Sequence, residues 1–166
     1  MIKKLNLVKI YLLCVVLFSL ILLISYLYTE PVTTVGTLKD KIEVSFKYIF
    51  FNNLKVVLLM IFLAPLTFGI GTIIILIINA LILGGVLGSI KNDFSLIFLL
   101  IPHGIIEVPV LLLAASIGLK LTLDLFLMKL KLKLTFKYIC IVLVGLLIAA
   151  SIESFITPMF LEGVIK

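Results

Sequence analysis

The chain has 166 residues, of which 64% are hydrophobic and only 13% are charged. A soluble domain of this length could not bury so much apolar surface, so the composition predicts an all-α integral membrane protein. The net charge is +6, and every basic residue is a lysine. The lysines flank the apolar runs, so we expect them to lie at the surface of the lipid bilayer. No nucleic-acid partner is predicted.

The first apolar run predicts an uncleaved membrane span at about 8–28. It exceeds the roughly 7–15 residues of a signal-peptide core, and no small-residue cleavage site follows it. Residues 29–45 form the only long polar stretch, which we expect to be an external loop.

Residues 54–88 are almost entirely apolar. As one helix they would extend about 50 Å, whereas the hydrocarbon core is about 30 Å thick. Pro65 and Gly69 therefore mark a reversal of direction between two spans, at about 46–66 and 70–90.

The fourth predicted span, about 94–119, contains helix-breaking and ionisable residues. Proline removes an amide donor and restricts the residue before it, and glycine permits a sharp bend, so we expect the helix to be interrupted at Pro102–Gly104. A helix that restarts there would hold Glu107 in its first turn, where free amides favour a carboxylate, with His103 on the same face. The residues of this predicted helix break are Pro102, Gly104 and Pro109.

A fifth span, at about 138–158, completes a bundle of five helices in a single membrane domain over 1–166. Because lysine and arginine accumulate on the cytoplasmic side, the lysine-rich segment 119–137 predicts that the N-terminus is inside and the C-terminus outside. This segment alternates apolar and polar residues like a strand. An open strand edge would leave backbone groups unpaired in lipid, so we expect a cytoplasmic interfacial helix. Its basic patch consists of Lys120, Lys129, Lys131, Lys133 and Lys137.

Six polar side chains fall within the predicted spans. With a rise of about 1.5 Å per residue, all lie between the midplane and the outer surface. Polar groups at that depth need partners, so a single intramembrane polar cluster is the economical hypothesis. It could be purely structural, or it could hold a substrate, an ion or a proton. Its members are Asn52, Asn53, Asn79, His103, Glu107 and Glu153.

Catalytic signatures are missing from the sequence: it contains no GxSxG, HExxH or nucleotide-binding glycine loop. One histidine and carboxylates on separate helices are a weak metal signature. We therefore predict no catalytic residue, no cofactor and no metal site. The pair Gly84 and Gly88 has GxxxG spacing and predicts close helix packing, either within the bundle or between two copies.

Several segments together resemble the stage II sporulation protein M family. They occur in the order FFNN, GIG, PHGIIEVP and SIES, and the likeness extends from about 46 to 158. The residues that carry it are Asn52, Asn53, Gly69, Gly71, Asn79, Pro102, His103, Gly104, Glu107, Pro109, Gly118, Glu153 and Pro158.

The resemblance implies a polytopic protein of the cell membrane that is not an enzyme. In spore formers, the family's namesake is required for engulfment and anchors cell-wall-degrading enzymes in the septal membrane. A similar role here would mean anchoring membrane or extracytoplasmic partners, cell-wall hydrolases among them. The alternative is a permease-like subunit that uses His103, Glu107 and Glu153 and works with a cytoplasmic ATPase. Whether copies of the chain form a homo-oligomer is left open.

Overall fold

The structure, a computed structural model, describes residues 6–31, 46–92 and 94–156, without the side chains of 94–96, 98–103 and 156. This part of the chain folds into α-helices with no strand, and five of the helices are long and apolar enough to cross a membrane. The predicted all-α, five-span architecture is thus confirmed. The helices are α1 (Leu7–Tyr28), α2 (Phe46–Leu66), α3 (Ile70–Ser89), α4 (Phe94–Phe126) and α5 (Leu132–Ser151), and a π-helical turn follows at Ile152–Ile156.

Helix α4 is the centre of the bundle and contacts each of the other four helices. Ala114, Ala115 and Ser116 are all completely buried. Successive helical residues point about 100° apart, so burial of three in a row means that α4 is enclosed on several sides. Accordingly, Ala115 belongs to a hydrophobic core shared with α1, α2 and α3, whereas Ala114 belongs to a second core with α2 and α5.

The predicted break in the fourth helix is wrong, because α4 continues through Pro102–Gly104 to Phe126. Each proline removes one amide donor, so the loss is local, and the remaining hydrogen bonds keep the helix continuous. Glu107 consequently lies more than three turns inside α4 and not in a first turn with free amides.

The predicted interfacial helix at 119–137 is also not observed. Residues up to Phe126 continue α4, a short turn follows, and α5 begins at Leu132. Thr122 and Asp124 are buried, so the first part of the segment packs within the bundle. Helix α4 therefore ends later than the predicted span at 94–119.

The turn between α4 and α5 has the hydrogen bonds of a Schellman C-cap. The Lys129 amide donates to the Asp124 carbonyl oxygen at 2.8 Å, and the Met128 amide donates to the Leu125 carbonyl oxygen at 3.0 Å. Met128 has a φ of 50°, in the left-handed region that glycine usually occupies at such caps. A well-formed cap thus stops α4, although the sequence offers no glycine there.

Two helix ends with positive φ angles meet at this end of the bundle. Gly69, at the reversal between α2 and α3, has a φ of 87°, and the neighbouring Phe68 has a φ of 55°. The ring of Phe68 stacks on Phe126 at the end of α4, with a centroid distance of 5.3 Å. The predicted reversal at Gly69 thus lies beside the C-terminus of α4.

Helices α1 and α3 run parallel and in close contact. A Cβ at Gly84 would meet the Leu22 carbonyl oxygen, and one at Gly88 would lie 2.8 Å from the Tyr26 carbonyl oxygen. The Ser25 hydroxyl also donates to the Leu81 carbonyl oxygen at 2.8 Å. The GxxxG pair therefore packs within the bundle, which settles the alternative that the sequence left open.

Candidate functional site

Most of the lysines that the structure describes, six of nine, lie at one end of the bundle. The beginning of α1 and the α4–α5 turn border the same cavity, so both lie at this end. Six lysines occupy this lysine-rich end, namely Lys9, Lys120, Lys129, Lys131, Lys133 and Lys137. The basic patch predicted from the sequence thus shares one end with the start of α1, because four helices, an even number, lie between them.

An ion pair joins Lys120 to Asp124, one turn apart near the end of α4. Asp124 is 9% exposed, and the Thr122 hydroxyl between the two donates to the Gly118 carbonyl oxygen at 3.0 Å. Spacing of i,i+4 between opposite charges is a pattern that the sequence displays, although the pair was not predicted. The pair neutralises the one acidic group of this part of α4.

Lys91 marks the opposite end of the bundle. Its ammonium group donates to the Thr29 carbonyl oxygen at 3.0 Å and lies 5.9 Å from the centroid of the Tyr26 ring. The contact ties the end of α1 to the end of α3.

The helix contacts define the relative heights of the predicted polar residues. Thr72 of α3 bonds to the Met60 carbonyl of α2, and a Cβ at Gly118 of α4 would touch that same carbonyl oxygen. Counting away from these contacts at about 1.5 Å per residue places Asn53 and Asn79 near the same height. The corresponding residues of α4 are 109–111, about one turn from Glu107.

Asn79 and Glu107 are half-buried, and so is Asn53. The Asn79 amide donates to the Ile75 carbonyl oxygen of its own helix at 2.8 Å, and the Oε2 atom of Glu107 is buried. Asn52, by contrast, is exposed. The three half-buried residues thus lie within about one turn of the same height, whereas their joining into one polar cluster stays a prediction.

Glu153 lies in the π-helical turn after α5, which also contacts α4. Gly145 of α5 packs against Val110 of α4, and the two helices run in opposite directions. This register brings Glu153 to about the height of His103, roughly one turn from Glu107 along α4. The backbone of His103 belongs to α4, but its side chain and that of Pro102 lie outside the described part of the structure.

The other two residues of the predicted helix break have different surroundings. A Cβ at Gly104 would meet no described atom within 4 Å, so packing among the described residues does not require glycine there. Pro109 is exposed. Among the side chains that the structure describes, no three His, Cys, Asp or Glu residues are grouped as metal ligands.

These features define a multi-pass helical membrane protein with half-buried polar groups inside the bundle and lysines at one end. The family model described as stage II sporulation protein M matches residues 9–158, and the chain belongs to this family. It is not a known enzyme family.

A similar protein from Methanocaldococcus jannaschii is itself uncharacterized. It is 41% identical over 83 residues, which are 48% of this chain and 46% of that protein. The chain is thus matched over about half the length of this curated relative. No solved structure matches the chain.

Proposed function

We propose that this protein is a non-catalytic scaffold of the cell membrane, which anchors membrane or extracytoplasmic partner proteins. Cell-wall hydrolases are the partners that the resemblance to the family's namesake implies. The N-terminus would lie inside and the C-terminus outside, with the lysine-rich end facing the cytoplasm.

The continuity of α4 is the observation that best supports this proposal. Transporter sites are typically built from discontinuous helices, whose free termini and unwound carbonyls bind the substrate. Here the helix that carries His103 and Glu107 is unbroken, and its own small residues are fully buried against the neighbouring helices. Such a packed bundle suits a rigid anchor better than a moving gate.

Affinity capture of the gently solubilised native complex tests the proposal. A scaffold predicts recovery of wall hydrolases or other extracytoplasmic proteins, identified by mass spectrometry and absent from a parallel capture with the tag alone. Recovery of a stoichiometric cytoplasmic ATPase in their place would contradict the scaffold and favour a permease subunit.

The second candidate, a permease-like subunit, is favoured by the π-helical turn at Glu153. π-Helical turns are rare and often occur at functional sites. This one contacts α4, and Glu153 is half-buried at the height of His103. Under this hypothesis, a substrate or a proton would bind at His103, Glu107 and Glu153.

A further inference from the structure

A cavity of about 870 Å³ opens at the lysine-rich end, between the start of α1, the last turns of α4 and the beginning of α5. Its volume falls within the range of about 300–1,000 Å³ that small-molecule sites occupy. No motif in the sequence predicts it, because the wall from the start of α1 is more than 100 residues away from the other two walls.

The walls of this cavity are largely apolar. Leu7 of α1 and Leu123 of α4 face it together with Leu134 and Tyr138 of α5, and the buried Ile117 also lines it. Leu123 and Leu134 keep 38% and 45% of their surface exposed, so apolar surface is open at the end of the bundle. A purely hydrophilic ligand would leave these apolar walls in contact with water.

The rim of the cavity is positively charged. Lys120, Lys129 and Lys131 border it, against the single acidic residue Asp124. Asp124 is paired with Lys120, whereas Lys129 and Lys131 are exposed and form no ion pair within the described part of the chain. Two lysines are therefore available to an anionic occupant.

We propose that this cavity binds the phosphate headgroup of an anionic membrane lipid, with the first part of an acyl chain against the leucine walls. Basic pockets between spanning helices at the cytoplasmic face bind such headgroups. The apolar walls and the lysine rim match the two parts of an amphiphile at a membrane surface. The chain's own first five residues suit the site less well, because they carry two lysines and no acid.

Native mass spectrometry of the purified full chain tests the proposal. The probes are dioleoyl phosphatidylglycerol, dioleoyl phosphatidylcholine and free glycerol 3-phosphate. We expect each protein chain to bind one phosphatidylglycerol molecule. The fraction of protein with bound phosphatidylglycerol should be well above the fraction with bound phosphatidylcholine. Binding of glycerol 3-phosphate at the same concentration as the lipid would overturn the lipid assignment, and so would equal binding of the two lipids.

Matched variants locate the binding. The double variant Lys129→Gln, Lys131→Gln should lower the affinity for phosphatidylglycerol roughly 10- to 30-fold, as expected from losing two lysines near a membrane surface. The double variant Lys133→Gln, Lys137→Gln removes the same charge from residues that do not line the cavity, and it should bind as the wild type does. Equal losses in both would overturn the proposal in favour of diffuse attraction.

A second pair of variants tests the cavity without changing the charge. Leu134 lines the cavity, whereas Leu132 does not. Leu134→Trp should fill part of the space and weaken binding several-fold, and Leu132→Trp should leave it unchanged. Tight binding by Leu134→Trp would overturn the proposal. Circular dichroism and size-exclusion chromatography would verify that each variant is folded.

Discussion

Thr72 of α3 donates a hydrogen bond of 2.6 Å to the carbonyl oxygen of Met60 in α2, and both residues are completely buried. Gly118 of α4 lies against the same carbonyl oxygen. Three helices thus meet at one backbone group. Substitutions at this junction therefore test how much the stability of the bundle depends on close packing.

Replacing Gly118 by alanine should destabilise the protein by about 1–3 kcal/mol, the usual cost of overpacking. The new Cβ would collide with the Met60 carbonyl oxygen and would lie 3.2 Å from the Cα of Ile61, so backbone would have to move. Thermal unfolding in detergent measures the effect. Gly104→Ala in the same helix is the matched control and should be neutral or stabilising, because its Cβ would meet no atom of the residues that the structure describes. An equal loss at both positions would contradict this account.

Thr72→Val should cost about 0.6 kcal/mol and at most about 1.7 kcal/mol, as other interhelical hydrogen bonds in membrane proteins do. The valine keeps the shape of the side chain but leaves the Met60 carbonyl oxygen without this donor. The control is Thr135→Val, which removes an exposed hydrogen bond of 3.3 Å from the Thr135 hydroxyl to the Lys131 carbonyl oxygen at the N-cap of α5. Comparable denaturation midpoints for the two variants would argue against a structural role for the Thr72 bond.

Met128→Gly should raise the stability by about 1 kcal/mol. Glycine has no Cβ penalty in the left-handed region, and the methionine side chain is 93% exposed, so little packing is lost. Met128→Ala truncates the side chain and keeps the penalty, so its unfolding temperature should stay near that of the wild type. A glycine variant no more stable than the alanine variant would refute the explanation.

The proposed orientation predicts a labelling pattern for cysteines at the two ends of the bundle. In a background without Cys14 and Cys140, a water-borne maleimide should label Lys91→Cys in intact cells. It should label Lys131→Cys only after the membrane is permeabilised. The opposite pattern would invert the topology and place the lysine-rich end outside.

The number of spans was predictable because the lengths of apolar runs, compared with the thickness of a membrane, define it. The extent of the fourth and fifth helices was not. Lysine side chains bury their stems and extend their charges toward water, so helices continue past the apolar core, as α5 does from Leu132. Alternation between leucine and lysine in 119–137 then conceals the helical period.

The sequence also could not predict that helix α4 continues through Pro102. A proline either breaks a helix or costs it one hydrogen bond, and the packing of neighbouring helices decides between the two. The cavity at the lysine-rich end depends on Leu7 and Leu134 lining the same space, and no local pattern encodes that arrangement. Five of the predicted polar residues lie on the predicted helices, whereas Glu153 lies in the π-helical turn after α5.

Glu107→Gln tests the scaffold most directly. The substitution keeps the shape of the side chain and much of its hydrogen bonding but removes its charge. A strain whose chromosomal gene encodes the Glu107→Gln variant would be examined in two ways. Affinity capture would identify its partners, and comparison with a deletion strain would show whether the variant restores the phenotype. The account predicts that Glu107→Gln recovers the same partners as the wild type and restores the phenotype fully. A variant that is folded and holds its partners, yet fails to restore the phenotype, would contradict the scaffold and indicate charge-dependent transport.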